Sequence, residues 1–128
     1  MAKIETMNPR RMLLHVGGHP LLVEVALTPA ERWLGLSGRD SLPEDRGMIF
    51  VFPTRAHHSF WMRGVPFGLT IAFVRDTGDI AALRDMEPMS ERTVASPEPV
   101  RLALEAPIGW FDRRGIRPGD KVTLVGGI

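Results

Sequence analysis

The chain has 128 residues, 44% of them apolar and 24% charged, the profile of one soluble globular domain with a self-sufficient core and no room for a second. Sixteen Lys and Arg against 15 Asp and Glu leave a formal charge of +1, so no bulk field holds a nucleic acid or another polyanion. Cysteine is absent, which excludes disulfides, thiolate nucleophiles, thiolate zinc sites and iron–sulfur clusters, and no apolar run nears the roughly 20 residues that span a bilayer.

Residues 1–11 read as an N-terminal tail without the apolar centre of a secretory signal, and 12–128 as a single β-rich domain. As given, the chain is expected in the cytoplasm; a leader lying outside the given sequence would make it exported. Met12 to Val16 is a first strand, followed by the turn Gly17-Gly18-His19-Pro20. Leu21, Val23, Val25 and Leu27 alternate with Leu22, Glu24 and Ala26, the pattern of a half-buried strand. Thr28-Pro29-Ala30-Glu31 then opens a short helix: Thr28 caps, Pro29 takes the first helical position, and Glu31 closes the capping box. The helix runs to about Leu36, and Ser37 to Gly47 is a surface loop.

Met48 to Phe52 is apolar on both faces, the signature of a central strand. Ser59 to Met62 returns as a strand, the chain bends between Arg63 and Gly68, and Leu69, Ile71 and Phe73 resume alternation. Asp76-Thr77-Gly78-Asp79 is a hairpin turn into a strand over 80–86. Glu87 to Pro99, with three prolines and little periodicity, reads as a long irregular flap. Val100, Leu102 and Leu104 alternate again, Pro107 to Arg114 forms a second short helix ended by Gly115, and Val122 to Val125 closes the sheet. The sum is a mostly-β, compact single-domain antiparallel sandwich or barrel of about eight short strands with two short helices.

Four blocks carry a resemblance: Glu31-Arg32-x-x-Gly35-Leu36-x-x-Arg39, Leu42-Pro43-Glu44-Asp45-x-Gly47-Met48-x-Phe50-x-Phe52, Phe60-Trp61-Met62, and Leu104-Glu105-x-x-x-Gly109-Trp110. In that order, from about Val23 to Val125, they resemble the bacterial and archaeal family called domain of unknown function 192. The resemblance implies one mostly-β domain, usually standing alone, sometimes exported, with no established activity. It also marks departures. Where the family usually has Lys-Asn-Thr after Phe-Trp-Met, and Pro-Leu-Asp a few residues later, this chain has Arg63-Gly64-Val65 and Gly68-Leu69-Thr70, so two polar candidates give way to Gly64 and Thr70.

No complete catalytic set emerges. Tyr and Gln are missing, Asn8 is the one Asn, and 14 of the 16 basic residues are Arg, which suit anion binding and ion pairs rather than proton transfer. Phe60 and Met62 share one face of an extended segment while Trp61 and Arg63 share the other. Trp61 beside a guanidinium suits a planar or anionic ligand, though such large groups ordinarily fill a core. His57-His58 lacks a third ligand for a metal; His58 remains as a group able to protonate at a pocket edge. Arg39 and Arg63 are placed to meet a carboxylate or phosphate, against the commoner pairing of Arg39 with a nearby acid. Asp76 and Asp79 are turn residues, and Glu105 ends an alternating strand within a family block, where a structural pairing near Trp110 is the ordinary role. Ser37 and Ser59 lack a nucleophile elbow, and Met12, Met48, Met62, Met86 and Met89 are gap-filling positions rather than a copper site.

The preferred expectation is a non-catalytic domain that binds a small organic or anionic ligand through Arg39, His58, Trp61 and Arg63, flanked by the 87–99 flap, with no metal, cofactor or nucleic acid. The alternatives are an accessory domain that docks a protein through a sheet edge or that flap, and a hydrolase that uses Glu105 or an Asp with His58. Oligomeric state is left open.

Overall fold

The computed structural model describes residues 10–127. The expected tail therefore lies mostly outside the described residues, and Arg11 already belongs to the first strand. Nine strands and two short helices follow in chain order: β1 (Arg11–Val16), β2 (His19–Ala26), α1 (Pro29–Leu34), β3 (Arg46–Ala56), β4 (Ser59–Phe60), β5 (Leu69–Val74), β6 (Ile80–Met86), β7 (Val94–Ala95), β8 (Val100–Pro107), α2 (Trp110–Arg113) and β9 (Val122–Gly127). Seven of the strands form one sheet in the order β6-β5-β8-β3-β2-β1-β9, and β4 pairs with β7 in a second, two-stranded sheet.

The large sheet curls into a half-barrel whose two edge strands meet at one end. There the Ile80 amide donates to the Asp120 carbonyl at 2.9 Å, Gly119 donates to Ile80 at 2.8 Å, and Val122 donates to Gly78 at 2.8 Å. Pairing is antiparallel throughout this sheet except between β2 and β3, which run parallel with Val23 opposite Gly47 and Val25 opposite Ile49. A parallel pair needs a crossover, and the chain from Leu27 to Asp45, which carries α1, supplies it.

Because successive strand residues face opposite sides, the sheet carries two cores. The concave core draws on β1, β2, β3, β5, β6 and β8, with Val16, Leu21, Val23, Val74, Ile80 and Leu104 nearly inaccessible; α2 and the turn after it plug it with Trp110, Phe111 and Ile116. The convex core is narrower and lies over β3, β5, β6 and β8, where Phe50, Leu69, Ile71, Phe73 and Met86 are covered by Leu36, Met62 and Val65. β5 is buried at all six positions, so it is covered on both faces.

The α2 plug is stapled across the molecule. Asp45, from the loop before β3, accepts the Trp110 indole N–H at 2.9 Å and an Arg114 guanidinium N–H at 2.9 Å, while Arg114 lies over the Trp110 ring at 4.3 Å. Two of the resemblance blocks thus meet. Thr28 caps α1 with both halves of the capping box in place, but the helix ends at Leu34 and buries none of its residues.

The 87–99 segment is not a free flap. Its β7 pairs with β4, and backbone bonds tie Ser90 to Met62, Met89 to Val65 and Ser96 to His58. The sequence offered no periodicity there because a two-residue strand has none to show. No helix among the described residues is long and apolar enough to cross a membrane.

Candidate functional site: an aromatic pocket over a buried carboxyl

On the convex face, α1 stands away from the sheet and leaves a pocket of about 440 Å³ between itself, β3 and β4, within the size range of small-molecule sites. Its floor is sheet. Phe50 and Phe52 alternate outward along β3, Leu69 comes from β5, and Glu105 comes from β8, where its strand partners are Met48 and Ile71. The walls are Leu36, Phe60, Met62 and Val65. Phe60 meets Phe50 edge-on at 5.1 Å and Phe52 edge-on at 6.0 Å, the arrangement that aromatic pairs prefer.

Two tryptophans mark the mouth. Trp33 is 76% exposed, and its ring centroid lies 6.1 Å from that of half-buried Trp61. The Arg63 guanidinium sits 5.6 Å from the Trp61 ring centroid, with no carboxylate partner among the described residues. Arg32 lies over Phe52 at 5.0 Å, its Nη1 donating to the Leu27 carbonyl and, at 3.1 Å, to the Val51 carbonyl.

Glu105 is the unusual group. It is 4% exposed, and no hydrogen bond from the described residues meets its carboxyl. Burial alone pushes its pKa up to about 8, because a carboxylate loses its hydration in an apolar surround without gaining a counter-charge. Arg32 is the other charged side chain on the pocket wall, and its guanidinium is taken up by carbonyls. At neutral pH Glu105 is thus a protonated acid, one O–H donor with acceptor capacity to spare, at the bottom of an aromatic pocket. Its backbone is fixed too: a Cβ at Gly47, on the neighbouring β3, would collide with the Glu105 carbonyl oxygen.

The four residues singled out in the sequence do not converge. Trp61 lines the pocket, and Arg63 stacks on it at the rim. His58 lies flat on Phe52, centroids 3.6 Å apart, and its Nε2 donates to the Thr54 carbonyl at 3.0 Å; it neither lines the pocket nor bonds a carboxylate. Arg39 is elsewhere, gripping both oxygens of Glu24 at 2.6 Å. Among the described residues no three His, Asp or Glu side chains group as a metal site would require. Asp79 is held low by the Thr77 hydroxyl and by Arg75, to about 2, as befits a turn.

Sequence reasoning missed Trp33, Phe50 and Phe52 as site residues. Nothing in the pattern says that a six-residue helix will bury none of its side chains. The two family positions where the chain departs lie apart from the pocket floor. Gly64 has φ +74°, a left-handed turn that Asn also tolerates, so the exchange keeps the backbone. Thr70, 5% exposed, donates to Asp85 at 2.8 Å and accepts from the Gly109 amide at 3.1 Å, tying β5 to β6 and to the start of α2.

Fold and site together define a class: a curled β domain with an aromatic, ligand-sized cavity on its convex face and an uncharged carboxyl at the bottom. The chain belongs to the family of domain of unknown function 192, DUF192, described as an "Uncharacterized ACR", whose match runs over residues 12–124. Two solved structures share the fold. One, from Sinorhizobium meliloti 1021 and provisionally described as a transcription regulator, is 33% identical with a TM-score of 0.83, over 90% of this chain and 92% of that one. The other, a protein of unknown function from Novosphingobium aromaticivorans DSM 12444, is 30% identical with a TM-score of 0.84, over 91% of this chain and 86% of that one. Among curated proteins none matches.

Proposed function

We propose that this domain binds a small, mainly apolar organic molecule in the convex-face pocket, with a hydrogen-bond acceptor of that molecule meeting the protonated Glu105. The observation that carries the reading is Glu105 itself. The Glu105 carboxyl faces the pocket without a protein partner among the described residues, so a ligand acceptor there would complete its hydrogen bonding, a neutral bond worth about 0.5–1.5 kcal/mol net. Apolar walls would contribute the affinity and the single carboxyl the orientation. An acidic group on the ligand would lie at the mouth beside Arg63, where charge stays solvated and the guanidinium is within reach. Binding rather than bond-breaking is favoured because Glu105 has no base or nucleophile hydrogen-bonded to it, and His58 is turned away.

A second reading, docking of a protein partner, draws support from the exposure of Trp33 and Leu34 beside the same mouth. The 87–99 segment is less suited to it, being pinned by its own backbone bonds.

The test is a fluorescence titration with 8-anilinonaphthalene-1-sulfonate, whose rings suit the walls and whose sulfonate suits Arg63. One saturable site is expected, weakened about tenfold by Trp61→Ala, the worth of one aromatic packing contact of about 1.4 kcal/mol. Wild-type affinity in both folded Trp61→Ala and folded Trp33→Ala would overturn the assignment.

A further inference from the structure

The same convex face carries a second, smaller cavity, of about 80 Å³, over β1, β2 and β3. Three arginines and one glutamate frame it. Arg11 of β1 lies directly opposite Glu24 of β2, and Arg46 of β3 is opposite Leu22, one outward position along from Glu24. Arg39 reaches in from the crossover after α1 and occupies both Glu24 oxygens. Glu24 therefore has little left to offer the other two cations. Neither the Arg11 nor the Arg46 side chain has a hydrogen-bonding or ion-pair partner among the described residues, and the Arg11 Nε is a buried donor without an acceptor. The Ser41 hydroxyl completes the wall.

Three guanidinium groups against one carboxylate leave two surplus positive charges around one partly enclosed space. The effect on the nearest acid is visible. Glu24 is held below the usual carboxylate range, first by its bonds to Arg39 despite the opposing cost of burial, then by the charges of Arg39, Arg11 and Arg46. Opposite charge is what such a field concentrates. The volume is that of two or three waters at about 30 Å³ each, a size that suits one compact tetrahedral oxyanion. Guanidinium forks match that geometry, each offering paired N–H donors to two oxygens.

We propose that Arg11, Arg39, Arg46 and Ser41 form an oxyanion site for inorganic phosphate or the terminal phosphate of a small monoester, a site separate from the aromatic pocket. Arg11 and Arg46 supply the free donors, and Arg39 stays locked on Glu24 as the wall that orients them.

The experiment is isothermal titration of the intact chain with inorganic phosphate and, separately, with glycerol 3-phosphate, against potassium chloride matched for ionic strength. Saturable phosphate binding at one site is expected, reduced about tenfold or more by Arg46→Ala, the loss of one charge-assisted contact. Arg46 is exposed, so its removal leaves the strand packing intact, and far-ultraviolet circular dichroism checks this. Equal binding of the monoester points to a phosphorylated metabolite; binding of phosphate alone points to the free ion, and either supports the site. Heats indistinguishable from chloride overturn the proposal, as does phosphate affinity unchanged in Arg46→Ala and Arg11→Ala. Duplex DNA that binds through these arginines while free phosphate neither binds nor competes also overturns it.

Discussion

Glu105 concentrates most of what can be tested at the level of one side chain. Its folded-state pKa lies above its unfolded value, so between about pH 4.5 and 8 the unfolded chain releases a proton that the folded protein keeps. Stability must then fall as pH rises through that window, by up to about 1.4 kcal/mol per pH unit, level off above it, and be insensitive to this group below about pH 4.5. Urea unfolding of wild type and Glu105→Gln at pH 5, 6, 7 and 8 measures this: the wild type loses stability relative to the variant at each step, and parallel curves would contradict it. The lowered carboxyls act in the opposite sense. Glu24, held by Arg39, and Glu31, held by the Thr28 and Leu27 amides, add stability that is present above their unfolded pKa and lost only as pH falls through their lower folded values. Gly47 sets a steric test beside the same residue. Because its Cβ would meet the Glu105 carbonyl rather than a movable side chain, Gly47→Ala should cost at least about 1–3 kcal/mol, read from the urea midpoint.

Elements show which parts of the sequence speak for themselves. The capping box at Thr28 was legible because its partners lie within three residues. Thr28→Ala should cost about 1 kcal/mol in thermal unfolding, with the strands unaffected. The Asp76–Asp79 hairpin and the doubly apolar β3 were legible for the same local reason. What the sequence did not disclose were outcomes of long-range geometry. The parallel pairing of β2 and β3 depends on where the crossover returns the chain, β7 exists only because β4 is beside it, and α1 exposes Trp33 because its neighbours hold it off the sheet. Asp45 is a further case: no local pattern announces that it will meet Trp110. Asp45→Ala should destabilise by about 1–3 kcal/mol by leaving the buried indole N–H unpaired, whereas Asp45→Asn, which keeps an acceptor and tolerates φ +64°, should cost far less.

At the scale of the whole molecule, the curl of the sheet divides the labour. The concave side is filled by aliphatic residues and sealed by α2, so it holds the fold together. The convex side is only partly covered, and the segment after α1 serves both of its cavities, with Leu36 and Ser37 on the aromatic one and Arg39 and Ser41 on the arginine-rich one. Sequence blocks were enough to place the chain in its family; the pocket needed coordinates, since its lining comes from six separate stretches. The most direct test of the account is carbon-13 NMR of the glutamate carboxyl groups across pH 4 to 9, with Glu105→Gln assigning the resonance, in the presence and absence of 8-anilinonaphthalene-1-sulfonate. One carboxyl that stays protonated until about pH 8, and whose midpoint moves higher when the dye binds, is the predicted result. Glu105 titrating with the others below pH 5, or a midpoint indifferent to bound dye, would contradict it.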